Sequence, residues 1–147
     1  MRSFRSLAAA ALAAVVLTAP AYAQKQVITP AGGRGGGMLS AATRVGDLVF
    51  VSGQTPSRAD STMDAQTTTE LTKIKTILEA AGTTMENVLK CQVFITDGSE
   101  FAKMNEAYSK FFPADKGPPA RTTVVVAALV SAGAKVEIEC IAAMPKS

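Results

Sequence analysis

The chain has 147 residues, of which 48% are hydrophobic, with a formal net charge of +3 and no histidine. This length favours one domain with one core, and the missing histidine excludes Ser-His-Asp triads and most histidine-ligated zinc or iron hydrolase sites. For the same reason we expect no bound metal. Because the chain has no basic run and no tryptophan, we expect no nucleic-acid partner.

The N-terminus has the pattern of a cleavable secretory signal peptide over residues 1–23. Arg2 and Arg5 form a basic start, residues 7–19 are apolar apart from one threonine, and Ala21-Tyr22-Ala23 fits the small-x-small cleavage rule. The apolar run is too short to span a membrane, so an uncleaved anchor is the weaker alternative. We predict cleavage after Ala23, a periplasmic or secreted protein, and no membrane association thereafter. Cleavage removes two of fifteen basic residues against twelve acidic ones, so the formal charge falls from +3 to +1.

Residues 24–39 are rich in glycine, and we interpret them as a flexible arm that precedes the domain at 40–147. A glycine run can also bind phosphate. That alternative is disfavoured because no strand precedes the run and no Gly-Lys-Ser/Thr follows it.

The domain itself predicts the element order β-β-α-β-α-β-β. A hairpin around Gly46-Asp47 is followed by an amphipathic helix that ends at Gly82, and a second helix starts at Asp97 or Ser99 and ends before Pro113. The predicted ranges are 40–52 for the hairpin, 64–81 for the first helix, and 90–96, 122–128 and 136–143 for the later strands. This order predicts an α+β fold with one mixed sheet and both helices on one face.

The strands are apolar on both sides, so the helix-free face of this sheet needs a cover. We expect a second copy of the chain to supply it and predict a homo-oligomer. Of the second helix, we expect Phe101, Met104, Ala107, Tyr108 and Phe111 to line the inner face.

Two cysteines, Cys91 and Cys140, lie far apart in strand-like segments. We expect two separate buried thiols that behave as small apolar residues. A disulfide is the alternative in an oxidising compartment.

Two charged residues stand in apolar strand segments, Arg121 after Pro119-Ala120 and Glu137 in Val136-Glu137-Ile138-Glu139. Such charges are unfavourable unless they are paired, exposed or functional. An arginine fork matches a carboxylate, and a glutamate can deprotonate a water, so the pair predicts hydrolysis of an acidic ligand. In the structural alternatives, Arg121 bridges subunits, Glu137 pairs with Lys135 or another surface charge, or Glu139 takes the role of Glu137.

Six motifs occur in order: VGDLVFVSGQ at 45–54, LEAAG at 78–82, VFITD at 93–97, NxxYxxFF at 105–112, PAR at 119–121 and VEIECIA at 136–142. On these motifs the domain resembles the RidA/YjgF family of reactive-intermediate imine deaminases over residues 40–144. The resemblance implies a chorismate-mutase-like fold and a homotrimer with clefts between subunits. It also implies cofactor-free hydrolysis of 2-aminoacrylate-type enamine and imine acids to 2-keto acids and ammonia, as in a 2-iminobutanoate/2-iminopropanoate deaminase.

Carried over by motif, the resemblance implies that Arg121 binds the substrate carboxylate and that Glu137 positions the attacking water. It places Ser52 and Asn105 near the pocket. The substrate would be a small molecule that carries a carboxylate.

The chain also departs from the family pattern at the predicted pocket. Leu39 stands where many active members have tyrosine, Ala41 where they have glutamine, and Thr123 where some have cysteine. These changes leave two alternatives open, a non-catalytic trimer that binds small carboxylate metabolites and a holdase-like stress protein.

Overall fold

The computed structural model describes residues 24–32 and 37–146, which form a mixed sheet with two α-helices on one face. The predicted signal peptide and residues 33–36 of the predicted arm lie outside this range. The helices are α1 (Met63–Ala81) and α2 (Phe101–Ser109), and the strands are β1 (Gln26–Ile28), β2 (Ala42–Val45), β3 (Leu48–Gln54), β4 (Val88–Ile95), β5 (Ala120–Val125) and β6 (Val136–Ala143).

The strands lie in the order β1-β2-β3-β6-β4-β5, with β4 and β5 parallel and the other neighbours antiparallel. The predicted α+β class and the mixed sheet are therefore confirmed. The prediction of a flexible arm over residues 24–39 was wrong for Gln26–Ile28, because this short apolar segment pairs with the edge of β2.

Helix α1 matches the predicted range closely. The Thr62 side chain accepts a hydrogen bond from the Ala65 amide at 3.4 Å and caps the first turn. Gly82 ends the helix with a φ of 84°, a left-handed conformation that favours glycine.

Helix α2 is shorter than predicted. Asp97 accepts a hydrogen bond from the Ser99 amide at 2.8 Å, which caps the 3-10 turn Gly98–Glu100 that leads into the helix. Of the predicted inner face, Met104, Ala107 and Tyr108 are buried. Phe101 is 40% exposed, so its predicted place in the core was wrong. It stands in the first turn of the helix, where its ring lies near Arg121.

The two faces of the sheet differ in how far one protomer covers them. On β6, Val136, Ile138, Cys140 and Ala142 are buried against the helices, and the alternate residues face the other way and are half-buried. On this open face Leu48, Phe50 and Val124 remain 39%, 39% and 41% exposed. The described residues of one protomer therefore leave an apolar sheet face without cover.

The two cysteines are joined in a disulfide, so the prediction of two separate thiols was wrong and its alternative holds. Cys91 on β4 is the register partner of Cys140 on β6, which brings their Cα atoms within 4.1 Å. Register across a sheet is a tertiary property, and the sequence separation of 49 residues gave no sign of it.

Reduction of this disulfide should lower the free energy of unfolding by about 2–4 kcal/mol, because the reduced unfolded chain regains conformational freedom. Chemical denaturation with and without a reductant measures the effect. The double variant Cys91→Ala/Cys140→Ala is the matched control and should not respond to the reductant. Equal midpoints for the oxidised and reduced wild type would contradict the prediction.

Candidate active site

Arg121 lies on the edge strand β5 and turns toward the helices. Its register partner is the buried Cys91, and paired residues of parallel strands share a face. Its Cζ atom lies 4.6 Å from the centre of the Tyr108 ring and 5.7 Å from that of Phe101. No ion pair joins Arg121 to a carboxylate anywhere in the described part of the chain. The aromatic rings thus support the guanidinium and leave its hydrogen-bonding fork free.

Asn105 and Thr123 lie beside this arginine on two shallow grooves. One groove of about 460 Å³ is lined by Asn105, Tyr108 and Arg121, and another of about 450 Å³ is lined by Phe101, Arg121 and Thr123. The Thr123 hydroxyl is buried without a hydrogen-bond partner among the described residues. A buried hydroxyl in this state is unfavourable, so it suits a place where a ligand or a water supplies the missing bond.

Glu137 lies on β6 and faces away from the helices, opposite Phe94 of β4. Its carboxylate occupies the space above Gly53 on β3, where an added Cβ would collide with Oε1 and lie 3.1 Å from Cδ. The alternative in which Glu137 pairs with Lys135 does not hold, because Lys135 Nζ lies 2.8 Å from Glu100 Oε2. Within residues 24–32 and 37–146, Glu137 has no ion pair.

The neighbouring Glu139 faces the same side of the sheet but is already engaged. Its Oε1 accepts a hydrogen bond from Gln92 Nε2 of β4. This contact distinguishes the two glutamates, which the sequence pattern could not do, and leaves Glu137 as the one available to a ligand.

Ser52 and Leu39 belong to the same region as Glu137. The Ser52 hydroxyl donates to the Ser40 carbonyl at 2.7 Å and so fixes the segment before β2 to the end of β3. Leu39 is next to Ser40 and is 78% exposed. Ser52 therefore has a structural bond, and its hydroxyl oxygen can still accept one from a ligand.

The predicted site residues thus fall into two groups on one protomer. The arginine half-site comprises Arg121, Asn105 and Thr123, and the glutamate half-site comprises Glu137, Ser52 and Leu39. Strand β4 separates β5 from β6, so the two groups are about two strand spacings, or ~10 Å, apart and on opposite faces. They cannot meet on one small substrate within a protomer, so a site that combines them needs a second copy of the chain.

Two residues that the sequence interpretation missed bear on the glutamate half-site, Gly53 by direct contact and Glu70 from the helix side of the sheet. Gly53 provides the space for the Glu137 carboxylate, and its signal was its place in the Ser52-Gly53-Gln54 motif. Glu70 on α1 is 0% exposed, and both of its carboxyl oxygens lack a hydrogen-bond partner among the described residues. Burial, followed by the charge of Glu137, raises the pKa of Glu70 to about 10. The sequence feature that indicated the burial of Glu70 was its position four residues before Ile74, on the apolar stripe of α1.

Burial also raises the pKa of Tyr108 to about 12, although the nearby Arg121 charge acts in the opposite direction. This tyrosine therefore stays neutral and serves as a support for the guanidinium. Among the described residues no cluster of three or more His, Cys, Asp or Glu side chains is placed to hold a metal ion. In the same part of the chain, neither helix is long and apolar enough to cross a membrane.

Residues 36–144 match the family model of endoribonuclease L-PSP. The chain belongs to this family. It is the family of the RidA, YjgF and RutC proteins, so the resemblance seen in the six motifs is confirmed.

Several relatives within the endoribonuclease L-PSP family are similar to the chain over most of its length. The mitochondrial protein mmf2 of Schizosaccharomyces pombe is 39% identical over 114 residues, which cover 74% of this chain and 89% of that protein. The chloroplastic Reactive Intermediate Deaminase A of Arabidopsis thaliana is 38% identical over 74% of this chain and 59% of its own length.

Solved structures of family members have the same fold. Rv2704 of Mycobacterium tuberculosis, a member of the YjgF/YER057c/UK114 family, superposes with a TM-score of 0.71 at 29% identity over 82% of this chain and 100% of that chain. The YjgF-family protein NMB1025 of Neisseria meningitidis gives a TM-score of 0.76 at 25% identity over 86% and 99% of the two chains.

Substitution Gly53→Ala in this family member should displace the Glu137 carboxylate and leave the fold intact. The new Cβ would meet the far end of a flexible side chain, which can turn away at little cost in stability. We expect a thermal midpoint close to that of the wild type and a fall in turnover of about tenfold or more. Unchanged turnover in Gly53→Ala would contradict the role given to this space.

Proposed function

We propose that this protein is a homotrimeric deaminase that hydrolyses reactive enamine and imine acids, such as 2-aminoacrylate, 2-iminopropanoate and 2-iminobutanoate, to 2-keto acids and ammonia. The observation that carries the proposal is the Arg121 guanidinium, which lies against two aromatic rings and has no ion pair among the described residues. The similarity to a Reactive Intermediate Deaminase A supports the same class of reaction.

In the proposed reaction Arg121 binds the substrate carboxylate through its two parallel N–H donors. Asn105 and the free hydroxyl of Thr123 contact the polar atoms next to it. These contacts fix the orientation of the C=N carbon. Because the uncatalysed hydrolysis is already fast, orientation is the main contribution that the site needs to make.

Glu137 of a neighbouring subunit holds the attacking water and takes its proton. An enamine acid first gains a proton at its methylene carbon and loses one from nitrogen, which gives the imine. A carbon–oxygen bond then forms as the C=N electron pair moves to nitrogen, which gains a proton. The proton taken by Glu137 passes to the amino group of the tetrahedral adduct, the hydroxyl group loses its proton as the C=O bond forms, and the carbon–nitrogen bond breaks to release the keto acid and ammonia. Ser52 and Leu39 line the wall beside this water. Every step uses side-chain and solvent protons, so the reaction requires no cofactor.

A homotrimer is the assembly typical of the family, and we extend it to this chain. The half-exposed apolar residues of the open sheet face support the proposal, since a second subunit would bury them. The separation of the two half-sites supports it independently, because a cleft between subunits brings an arginine half-site to a glutamate half-site.

Substitution Arg121→Ala should lower kcat/KM for freshly generated 2-aminoacrylate by about 100-fold or more, because the carboxylate loses its fixed partner. Release of keto acid above the uncatalysed rate is the measurement. Arg58→Ala removes an exposed arginine outside both half-sites and is the matched control. Equal rates for Arg121→Ala and the wild type would exclude the proposed enzyme.

Mixed trimers test whether the two half-sites come from different subunits. Arg121→Ala and Glu137→Gln should each be nearly inactive alone, since the amide of glutamine cannot accept the proton. When equal amounts are unfolded and refolded together, about a quarter of the clefts would combine an intact Arg121 with an intact Glu137 from the neighbour. We expect about that fraction of wild-type activity, and mixed trimers without any recovery would contradict the shared cleft.

The second candidate is a non-catalytic trimer that binds small carboxylate metabolites. The exposed Leu39, in the place of a tyrosine in many active members, favours it because this wall of the cleft lacks a hydroxyl. Calorimetric binding of a stable 2-keto acid that depends on Arg121, without turnover of 2-aminoacrylate, would support this candidate over the enzyme.

We further propose that residues 1–23 are a signal peptide and that the protein functions in the periplasm or is secreted. The disulfide between Cys91 and Cys140 supports this location, because disulfides persist in oxidising compartments.

Expression of the full chain in a Gram-negative host should place the protein in the periplasmic fraction, with an intact mass that starts at Gln24. The variant Ala23→Asp should block cleavage, because the site requires a small residue there. A cytoplasmic protein that retains residues 1–23 would contradict the proposal.

A further inference from the structure

The position of the buried Glu70 carboxyl relative to β6 follows from the packing of α1 along this strand. At the start of the helix, Gln66 accepts a hydrogen bond from the Lys135 amide at 2.7 Å and donates one to the Gly133 carbonyl at 2.9 Å. Beyond its end, the Thr83 hydroxyl donates to the Ala143 carbonyl at 2.6 Å. Helix and strand therefore run side by side in the same direction.

Glu70 is one turn beyond Gln66, which is about 6 Å along the helix axis. That distance corresponds to about two residues of a strand, so Glu70 lies at the level of Glu137 and Ile138. Ile138 is buried toward the helix, and Glu137 faces the opposite side. The adjacent strand β3 is irregular between Val51 and Gln54 and has only a glycine, Gly53, where the Glu137 carboxylate lies.

The surroundings of Glu70 offer it no cationic hydrogen-bond partner among the described residues. Lys73 on the same helix lowers the pKa of Glu70, but the Lys73 ammonium donates its hydrogen bond to the Thr55 carbonyl at 2.6 Å. Glu137 is the charged group that acts on it from β6. The titratable group on the buried face of α2 is Tyr108, which stays neutral. A carboxylate in such a place is far more unfavourable than a carboxylic acid.

We propose that Glu70 and Glu137 are a carboxyl pair across the sheet, in which buried Glu70 on the helix side is the protonated acid and Glu137 on the opposite side has the negative charge. The inference rests on the proposed function only in naming Glu137 as the base. Glu70 touches no substrate and is a positioning residue. While Glu70 is neutral, it adds no second negative charge from α1, and the charge of Glu137 is available to the water.

The raised pKa of Glu70 also fixes the sign of a stability effect. The folded state holds a proton that the unfolded chain has released, so the free energy of unfolding decreases as the pH rises from about 4.5 toward about 10. Ionisation of Glu70 would place an unpaired anion in the core beneath α1, on the other side of the sheet from Glu137.

Infrared titration of the folded trimer tests the pair without any turnover. At neutral pH the wild type should show the carbonyl stretch of a protonated carboxylic acid, and Glu70→Gln should lose it. In Glu137→Gln the band should disappear at a pH lower by about one unit, since the neighbouring charge is gone. Glu86→Gln, on the exposed surface, is the matched control and should leave the band unchanged.

The pair would be overturned if the wild type showed no band of a protonated carboxyl at neutral pH. It would also be overturned if that band disappeared at the same pH in the wild type and in Glu137→Gln. The Glu137→Gln arm leaves the core intact, so the test stands even if Glu70→Gln does not fold. A kinetic reading is a second measure, since the alkaline fall of kcat in the wild type should vanish in Glu70→Gln. If the titration of the band shifts in Glu137→Gln but the wild type releases no keto acid, the pair is retained and the proposed deaminase is rejected. If the wild type releases keto acid but the band does not shift, only the pair is rejected.

Discussion

The placement of β4 between β5 and β6 is the constraint on which the candidate site depends. Its parallel register with β5 pairs Cys91 with Arg121, and its antiparallel register with β6 pairs Phe94 with Glu137. Successive residues of a strand face opposite sides, so the arginine turns toward the helices and the glutamate away from them. The sheet therefore separates the two charged groups within one protomer, and the proposed chemistry requires a second subunit to bring them together.

The packing around these strands holds each half-site in place by different means. Arg121 is positioned by the aromatic rings of α2, which support its guanidinium without neutralising it. Glu137 is positioned by the absence of a side chain at Gly53. The disulfide joins β4 to β6 at Cys91, the register partner of Arg121, so it fixes the alignment of the strands that hold both half-sites.

Charge and burial are distributed unevenly across the sheet. The helix side is closely packed, with Val93, Val136 and Ile138 fully buried, and it contains the unpartnered Glu70. The open side keeps apolar residues half-exposed and contains Glu137. A buried acid without a partner lowers stability at neutral pH. Groups of this kind are concentrated at functional sites.

The sequence alone determined the α+β class, the hairpin at Gly46-Asp47, helix α1 and strand β6, because apolar periodicity and local capping signals encode them. Its motifs also identified the family and selected Arg121 and Glu137 as the residues to test. It missed strand β1, the exposure of Phe101 and the disulfide, and it could not distinguish Glu137 from Glu139. Only the tertiary structure decided these points, since strand register and the face on which a side chain lies depend on partners distant in the chain. The tertiary structure also decided the burial of Glu70, because a helical position becomes a core position only when a sheet packs against it.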